Sequence, residues 1–298
     1  MENYINKVIQ GDCLEVMKEI PDNSVDMILA DLPYGTTPAS WDSIIPMYDL
    51  WLEYERIIKD DGAIVLTSQQ PFTSLLISSN IKLYKYNWIW EKDNGTNFLN
   101  SKFQPLKITE DICVFGRGAT SFVKNGVTMK YNPQFTEGKP YTIKSGNQKS
   151  NSAVVRGGKG GREDVGGFET ISDGKRYPKN LIKFIRDKEK LHPTQKPVAL
   201  FEYLIKTYTN EGDIVLDNVA GSGTTGVACK NTNRNYILIE KEQEYIDIIN
   251  KKLSLPVGKI MLRSRNTMNI DLIIGVIVGW LMGTLGFIIS FWLSKKKL

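Results

Sequence analysis

The chain has 298 residues, 38 Lys and Arg against 33 Asp and Glu, and a formal net charge of +5. A chain of this length buries about three quarters of the surface its unfolded form exposes, so it needs neither disulfides nor a structural metal to fold. Three widely spaced cysteines, Cys13, Cys113 and Cys229, and a single histidine, His192, exclude a disulfide scaffold and argue against a Cys/His zinc site. No metal is expected. The first residues, MENYINKVIQGD, lack the apolar core of a signal peptide, and a reducing, cytoplasmic compartment is expected.

In chain order, strand candidates lie at Val25–Ala30, 63–67, 86–90, 112–115, 214–216 and 236–239. Helical segments lie among them at 46–58, 197–208 and Gln243–Leu253. Short apolar runs bounded by Asp, Gly or Pro read as buried parallel strands, and the alternation predicts a doubly wound α/β sheet over residues 1–254. Ligands in such sheets bind beyond the carboxyl ends of the strands. Trp88, Trp90, Tyr84 and Tyr86 have strand spacing and read as core.

The pattern breaks at 117–180, a stretch rich in Gly, Lys, Asn, Ser and Thr that contains GGKGGRED at 157–164. Residues 117–190 carry 16 Lys and Arg against 7 Asp and Glu, a local +9 that leaves −4 for the rest. With Tyr131, Phe135, Tyr141 and Phe168 interleaved, the stretch suits a surface that grips phosphates and touches bases. Lys159 and Arg162 are its candidate nucleic-acid contacts.

Beyond a linker at 255–270, residues 272–293 form 22 consecutive positions without a charge. As a helix they would be about 33 Å long, enough to cross a bilayer core of about 30 Å. A transmembrane helix at 271–294 is therefore expected, with membrane as a partner and the body tethered to the inner face. Gly275, Gly279 and Gly283 have the spacing that lets two such helices pack as a homodimer.

Four short segments carry polar chemistry. Residues 9–14 (IQGDCL) lie near the start, and 31–37 (DLPYGTT) follow the strand Val25–Ala30. Residues 192–197 (HPTQKP) precede a helix, and 217–225 (DNVAGSGTT) follow the strand at 214–216. Glu240 ends the next strand, 23 positions after Asp217. A strand, a Gly-rich turn and a helix place backbone N–H groups at a helix N-terminus, and an acid one strand later can accept hydrogen bonds from a ribose. No Lys follows the second Gly, so the turn is not a P-loop. Asp31, the carbonyl of Leu32 before Pro33, and Tyr34 supply a carboxylate, a second acceptor and a flat ring. Two acceptors aimed at a conjugated amino group would localise its lone pair as it reacts.

Together the four segments resemble the S-adenosylmethionine-dependent DNA amino-methyltransferases of the permuted beta arrangement, over about residues 4–254. In that family the Asp/Ser-Pro-Pro-Tyr motif comes first, the target-recognition region second and the cofactor loop last. The DLPYGTT form is similar to enzymes carried by phages and mobile elements. The resemblance implies a Rossmann-like methyltransferase sheet, S-adenosylmethionine as cofactor, double-stranded DNA as partner and a place in restriction-modification.

Residue by residue, the resemblance implies that Asp31, Leu32, Pro33 and Tyr34 hold the target base. Asp217, Gly221, Ser222, Gly223 and Thr224 surround the methionine part of the cofactor, Glu240 its ribose, and Asp12 with Cys13 its adenine. Thr194 and Lys196 close over its carboxylate, with His192 structural. Asp rather than Ser at position 31 points to N6 of adenine, with N4 of cytosine as the alternative. No Cys follows a Pro, which excludes carbon-5 methylation. The rival from another class is a membrane-anchored nucleic-acid-binding protein without catalysis.

Overall fold

The structure, a computed structural model, describes residues 1–37, 42–144, 169–187 and 195–256. In chain order these form β1 (Lys7–Gln10), α1 (Cys13–Met17), β2 (Val25–Ala30), α2 (Met47–Ile57), β3 (Ile58–Ser68), α3 (Phe72–Ser79), β4 (Tyr84–Thr96) and a 3₁₀ turn (Phe98–Asn100). They continue through β5 (Lys107–Phe115), β6 (Thr136–Glu137), β7 (Tyr141–Lys144), β8 (Glu169–Ser172), β9 (Lys175–Arg176) and β10 (Leu181–Lys183). The last are α4 (Val198–Tyr208), β11 (Ile214–Asp217), α5 (Thr224–Asn231), β12 (Asn235–Glu240) and α6 (Gln243–Leu253).

Eight strands make one sheet in the order β1-β12-β11-β2-β3-β5-β4-β10. Neighbours run parallel except at β5, which is antiparallel to both β3 and β4. The central strand β2 is buried along its whole length because its two faces are both covered. Val25, Ile28 and Ala30 pack with Leu50, Trp51, Tyr54 and Ile57 of α2. Met27 and Leu29 pack with Leu200, Leu204 and Tyr208 of α4 on the other side. Each fully buried aliphatic side chain contributes about 1.5–3 kcal/mol, so Leu204→Ala would cost about 2–5 kcal/mol once the cavity is included. The expected α/β architecture is thus present, and Trp88 and Trp90 are core as expected, their indoles donating to the Tyr208 hydroxyl at 2.6 Å and the Phe184 carbonyl at 2.9 Å.

The chain joins β11 to β2 side by side, pairing Leu216 with Ile28. Asp217 and Asp31, nearly two hundred positions apart in sequence, therefore emerge at the same edge of the sheet.

One part of the expected fold class is corrected. Among the described residues no helix is long and apolar enough to cross a membrane. The longest, α2, α4 and α6, have 11 residues each, about 16 Å, roughly half the bilayer core. The apolar run at 271–294 lies outside the described residues, so the fold is a mixed α/β sheet with no spanning helix assigned to it. The membrane tether and the homodimer through Gly275, Gly279 and Gly283 lose their support with that helix.

Residues Pro133–Asn180 form a compact unit of their own. Within it, β6 pairs antiparallel with β9 and β7 with β8, a nested ribbon. The Arg176 guanidinium sits 4.6 Å from the Tyr141 ring centre and donates to the Ser172 hydroxyl at 2.7 Å. In the main unit, several basic residues counted in the local positive excess are neutralised locally. Lys130 bonds Asp213 at 2.7 Å and Asp26 at 3.3 Å, Arg117 meets Asp60 at 3.0 Å, and Arg186 meets Asp93 at 2.8 Å.

Candidate active site

The carboxyl ends of β2, β11 and β12 open into one cleft of about 810 Å³. It is lined by Asp12, Cys13, Asp31, Leu32, Pro33, Tyr34, Lys196, Asp217, Gly221, Ser222, Thr224 and Glu240, together with Lys92 and Glu110. The three motifs whose residues are described thus converge with Lys196 on a single space. Gly223 is not part of the lining: it caps α5 with a φ of 79°, and a Cβ there would meet Ile249 at 2.8 Å. Thr194, His192, Lys159 and Arg162 lie outside the described residues.

Asp31 stands one residue past β2 and is the hub. Its Oδ1 accepts from the Tyr34 hydroxyl at 2.9 Å and from the Thr67 hydroxyl, and its Oδ2 accepts from the Lys196 ammonium at 2.7 Å. Lys196 is buried, and Glu110 lies 3.5 Å away on its other side. Burial opposes its charge, but Asp31, Tyr34 and Glu110 outweigh it and hold the lysine well above its ordinary range. Glu110 also pairs with buried Lys92 at 3.1 Å. The result is an alternating chain of charges, Asp31, Lys196, Glu110 and Lys92, which is how buried ions offset one another's desolvation.

Tyr34 is held on three sides. Its ring stacks on Phe72 with centres 5.2 Å apart and planes at 24°, and the Lys196 ammonium lies 5.6 Å from its centre. Burial and the Asp31 charge push the phenol well above its usual range, so it stays a neutral donor. The loop that follows is fixed by Asp42. One Asp42 oxygen accepts from Tyr34 N and Gly35 N at 2.7 and 2.9 Å, the other from Thr36 N and Thr37 N at 2.9 and 2.7 Å. Burial raises this carboxyl, yet the Thr37 hydroxyl and the backbone donors outweigh it and keep it below the usual carboxylate range.

On the β11 side, Asp217 accepts from the Thr225 hydroxyl and from Val219 N at 3.1 Å. Burial pushes its carboxyl up to about 7 against those bonds, with the charges of Asp31 and Glu240 adding. Glu240 accepts from Gly221 N at 2.7 Å, Lys241 N at 2.8 Å and Glu242 N at 2.9 Å, tying the Gly-rich turn to the end of β12. Asp12 caps α1 by accepting from Leu14 N at 3.0 Å. Cys13 is half-buried, and burial pushes its thiol up. Gln195 accepts from the Ser222 hydroxyl at 3.2 Å, so the segment before α4 docks on the Gly-rich turn.

A family model described as DNA methylase matches residues 25–251. The chain belongs to this DNA methylase family. The type II methyltransferase M.HinfI of Haemophilus influenzae is 31% identical to it over 280 residues, 85% of this chain and 69% of that protein. The DNA adenine methyltransferase YhdJ of Escherichia coli (strain K12) is 27% identical, covering 85% of this chain and 84% of that one. Two solved structures share the fold: the M1.HpyAVI–SAM complex, with a TM-score of 0.52, 24% identity and coverage of 84% and 99% of the two chains, and the cytosine-N4-specific PvuII DNA methyltransferase, with 0.57, 15%, and 85% and 87%.

The residues of this methylase fit S-adenosylmethionine. At Gly221 the backbone turns left-handed, with a φ of 51°, and a Cβ there would meet only the Val219 carbonyl, at 4.0 Å, so the turn leaves open space on the cleft. The buried Asn218 accepts from the Tyr54 hydroxyl at 2.6 Å and also hydrogen-bonds the Cys13 thiol, tying the β11 end of the cleft to α1. Sequence reasoning missed Asp42, Thr67, Glu110 and Lys92. Only Asp42 left a trace, as an Asp following a Gly-Thr-Thr loop that needs its N–H groups satisfied.

Proposed function

We propose that this DNA methylase transfers the methyl group of S-adenosylmethionine to the N6 amino group of adenine in double-stranded DNA. One observation carries the reading: the Asp31 carboxylate, oriented by Lys196, Thr67 and Tyr34, stands beside the Leu32 carbonyl in the cleft that Asp217 and Glu240 also line. The cofactor supplies an electrophilic methyl group on a sulfonium. The target base reaches such a site only by leaving the stack. Asp31 and the Leu32 carbonyl accept hydrogen bonds from the two amino hydrogens and so concentrate the lone pair on nitrogen; as its bond to the methyl carbon formed, the sulfonium would leave as a neutral thioether and the surplus amino proton would pass to solvent. Tyr34, backed by Phe72, offers a ring to stack on the base. Lys196 balances the charge of Asp31 and fixes its rotamer, so no reorganisation is needed at the moment of reaction.

Asp217, Gly221, Ser222, Thr224, Glu240, Asp12 and Cys13 form the cofactor side of the cleft, where holding the donor in line supplies much of the rate. The Asp at position 31 favours adenine, as does the likeness to a protein named as a DNA adenine methyltransferase. The basic unit around Pro133–Asn180 is the region for target recognition, with Lys159 and Arg162 on its phosphate contacts. Incubating the protein with S-adenosylmethionine and plasmid DNA, then resolving the nucleosides by mass spectrometry, tests this. N6-methyladenine is expected; N4-methylcytosine alone would overturn the adenine assignment, and no methylated nucleoside would overturn the activity.

A further inference from the structure

The β4–β5 hairpin ends in an apolar tip that the fold itself does not use. Phe98, Leu99 and Phe103 are 65, 97 and 86% exposed. Floppy apolar loops are common, but this one is built. Asn97 adopts a left-handed φ of 74° and accepts from the Asn100 side chain at 2.7 Å. Ser101 N donates to the Phe98 carbonyl at 3.1 Å, and Phe103 N to the Asn100 carbonyl at 2.9 Å. At the base of the hairpin Arg186 grips Asp93 at 2.8 Å. Gly95 is pressed against Leu106, leaving 2.8 Å for a Cβ.

Its position follows from the register. Thr67, which bonds Asp31, lies opposite Ile112 of β5, and Lys107 ends the ladder five residues further out. At about 3.3 Å per residue the hairpin stands about 17 Å beyond the level of Asp31, on the edge where the cleft opens. Between Asn94 and Thr109 there is no acidic residue, while Lys102 and Lys107 are present along with Asn97, Asn100, Ser101 and Gln104. Apolar side chains ringed by lysines and amides, held rigid at the mouth of a base-modifying cleft, match the wedges with which proteins enter a duplex and unstack a step.

We propose that the β4–β5 tip is a DNA wedge: Phe98, Leu99 and Phe103 enter the duplex beside the target base and occupy the space it vacates. The inference rests on the DNA substrate of the methylase reading. A second copy of the chain fits the tip less well, because three such side chains, even counted at the upper aromatic figure, cover at most about 750 Å², below the roughly 800 Å² per partner of a standard interface.

The test uses the full chain carrying Phe98→Ser, Leu99→Ser and Phe103→Ser. Two duplexes carry the sequence that the wild type methylates in plasmid DNA, one with the target base paired, the other with it opposite an abasic site and so already unpaired. The wedge predicts at least a tenfold loss of kcat/KM on the paired duplex and less than a threefold loss on the abasic one, with unchanged calorimetric affinity for S-adenosylmethionine. No loss on the paired duplex, or equal loss on both, would overturn it. A wild-type dimer that the variant converts to monomer in sedimentation would reassign the tip to self-association. A wild type that methylates no plasmid DNA sinks the methylase reading, and the wedge with it.

Discussion

Lys196 and Asp31 stand 165 positions apart in sequence and 2.7 Å apart in space. Their resemblance-based roles were separate, one on the cofactor carboxylate and one on the target amine. The structure joins them, because α4 begins at Val198 and its first turn delivers the preceding lysine across the mouth of β2. With Glu110 on its far side, the ammonium separates two carboxylates in a buried space. Lys196→Met therefore leaves like charges facing each other, at a cost of about 3–5 kcal/mol for a broken buried pair. Single-turnover methylation should fall at least a hundredfold, while Lys196→Arg recovers part of it. A grip on the cofactor alone would instead raise the Kd for S-adenosylmethionine tenfold or more and spare the methyl-transfer step.

Asp31→Asn should retain the shape of the site and lose the chemistry. An amide presents one acceptor where the carboxylate presents two, and Lys196, Thr67 and Tyr34 compete for it. Turnover below a few per cent of wild type is expected, with S-adenosylmethionine still bound in calorimetry. Tyr34→Phe is informative because the hydroxyl bonds Asp31 rather than pointing to solvent. Its loss should cost about 1 kcal/mol, a fivefold to tenfold drop in kcat with the stacking ring intact. Tyr34→Ala, which also removes the partner of Phe72, should be much worse.

Glu240 binds the site together before any ligand arrives. Its three backbone N–H partners belong to Gly221, Lys241 and Glu242, so Glu240→Ala frees the Gly-rich turn as well as removing the proposed ribose acceptor. Both the melting temperature and the affinity for S-adenosylmethionine should drop, the latter at least tenfold by calorimetry. Gly221→Val acts differently, since its Cβ meets almost nothing in the protein but the residue must leave its left-handed φ and fills the cleft. Normal affinity in both variants would place the cofactor elsewhere.

What was legible in the sequence divides by range. β2, α4 and α6 have runs and periodicities that act locally, and they appear nearly where the pattern put them. Asp31, Asp217 and Glu240 were legible because each ends or directly follows a buried strand, and strand ends in a parallel sheet share an edge. Glu110, Thr67 and Lys92 were not, since each sits inside an ordinary-looking strand: Thr67 reaches Asp31 through the parallel pairing of β3 with β2, Glu110 reaches Lys196 from β5, and Lys92 reaches Glu110 across the antiparallel β4–β5 ladder. Charge counting failed at Lys130 and Arg117 for the same reason: summing along the chain cannot see that Asp213, Asp26 and Asp60 have already neutralised them. The apolar run at 271–294 suggested a spanning helix by composition alone, and no helix of the described fold has the length for one.

The last prediction concerns pH. Asp217 is buried, and its carboxyl is raised from 3.8 to about 7. A group that holds its proton more tightly when folded binds more protons in the native state than in the unfolded one between those two values. Stability then falls as pH rises through that window. Between pH 5.5 and 7.5 the loss from this one carboxyl is on the order of 2 kcal/mol, or several degrees in melting temperature for a domain of this size. Asp217→Asn keeps an acceptor for Thr225 and Val219 and removes the titration. The wild type, without cofactor, should lose several degrees more than the variant between pH 5.5 and 7.5 at constant ionic strength. Equal losses in the two proteins would mean that Asp217 is ionised in the fold throughout, and that other groups set the pH dependence.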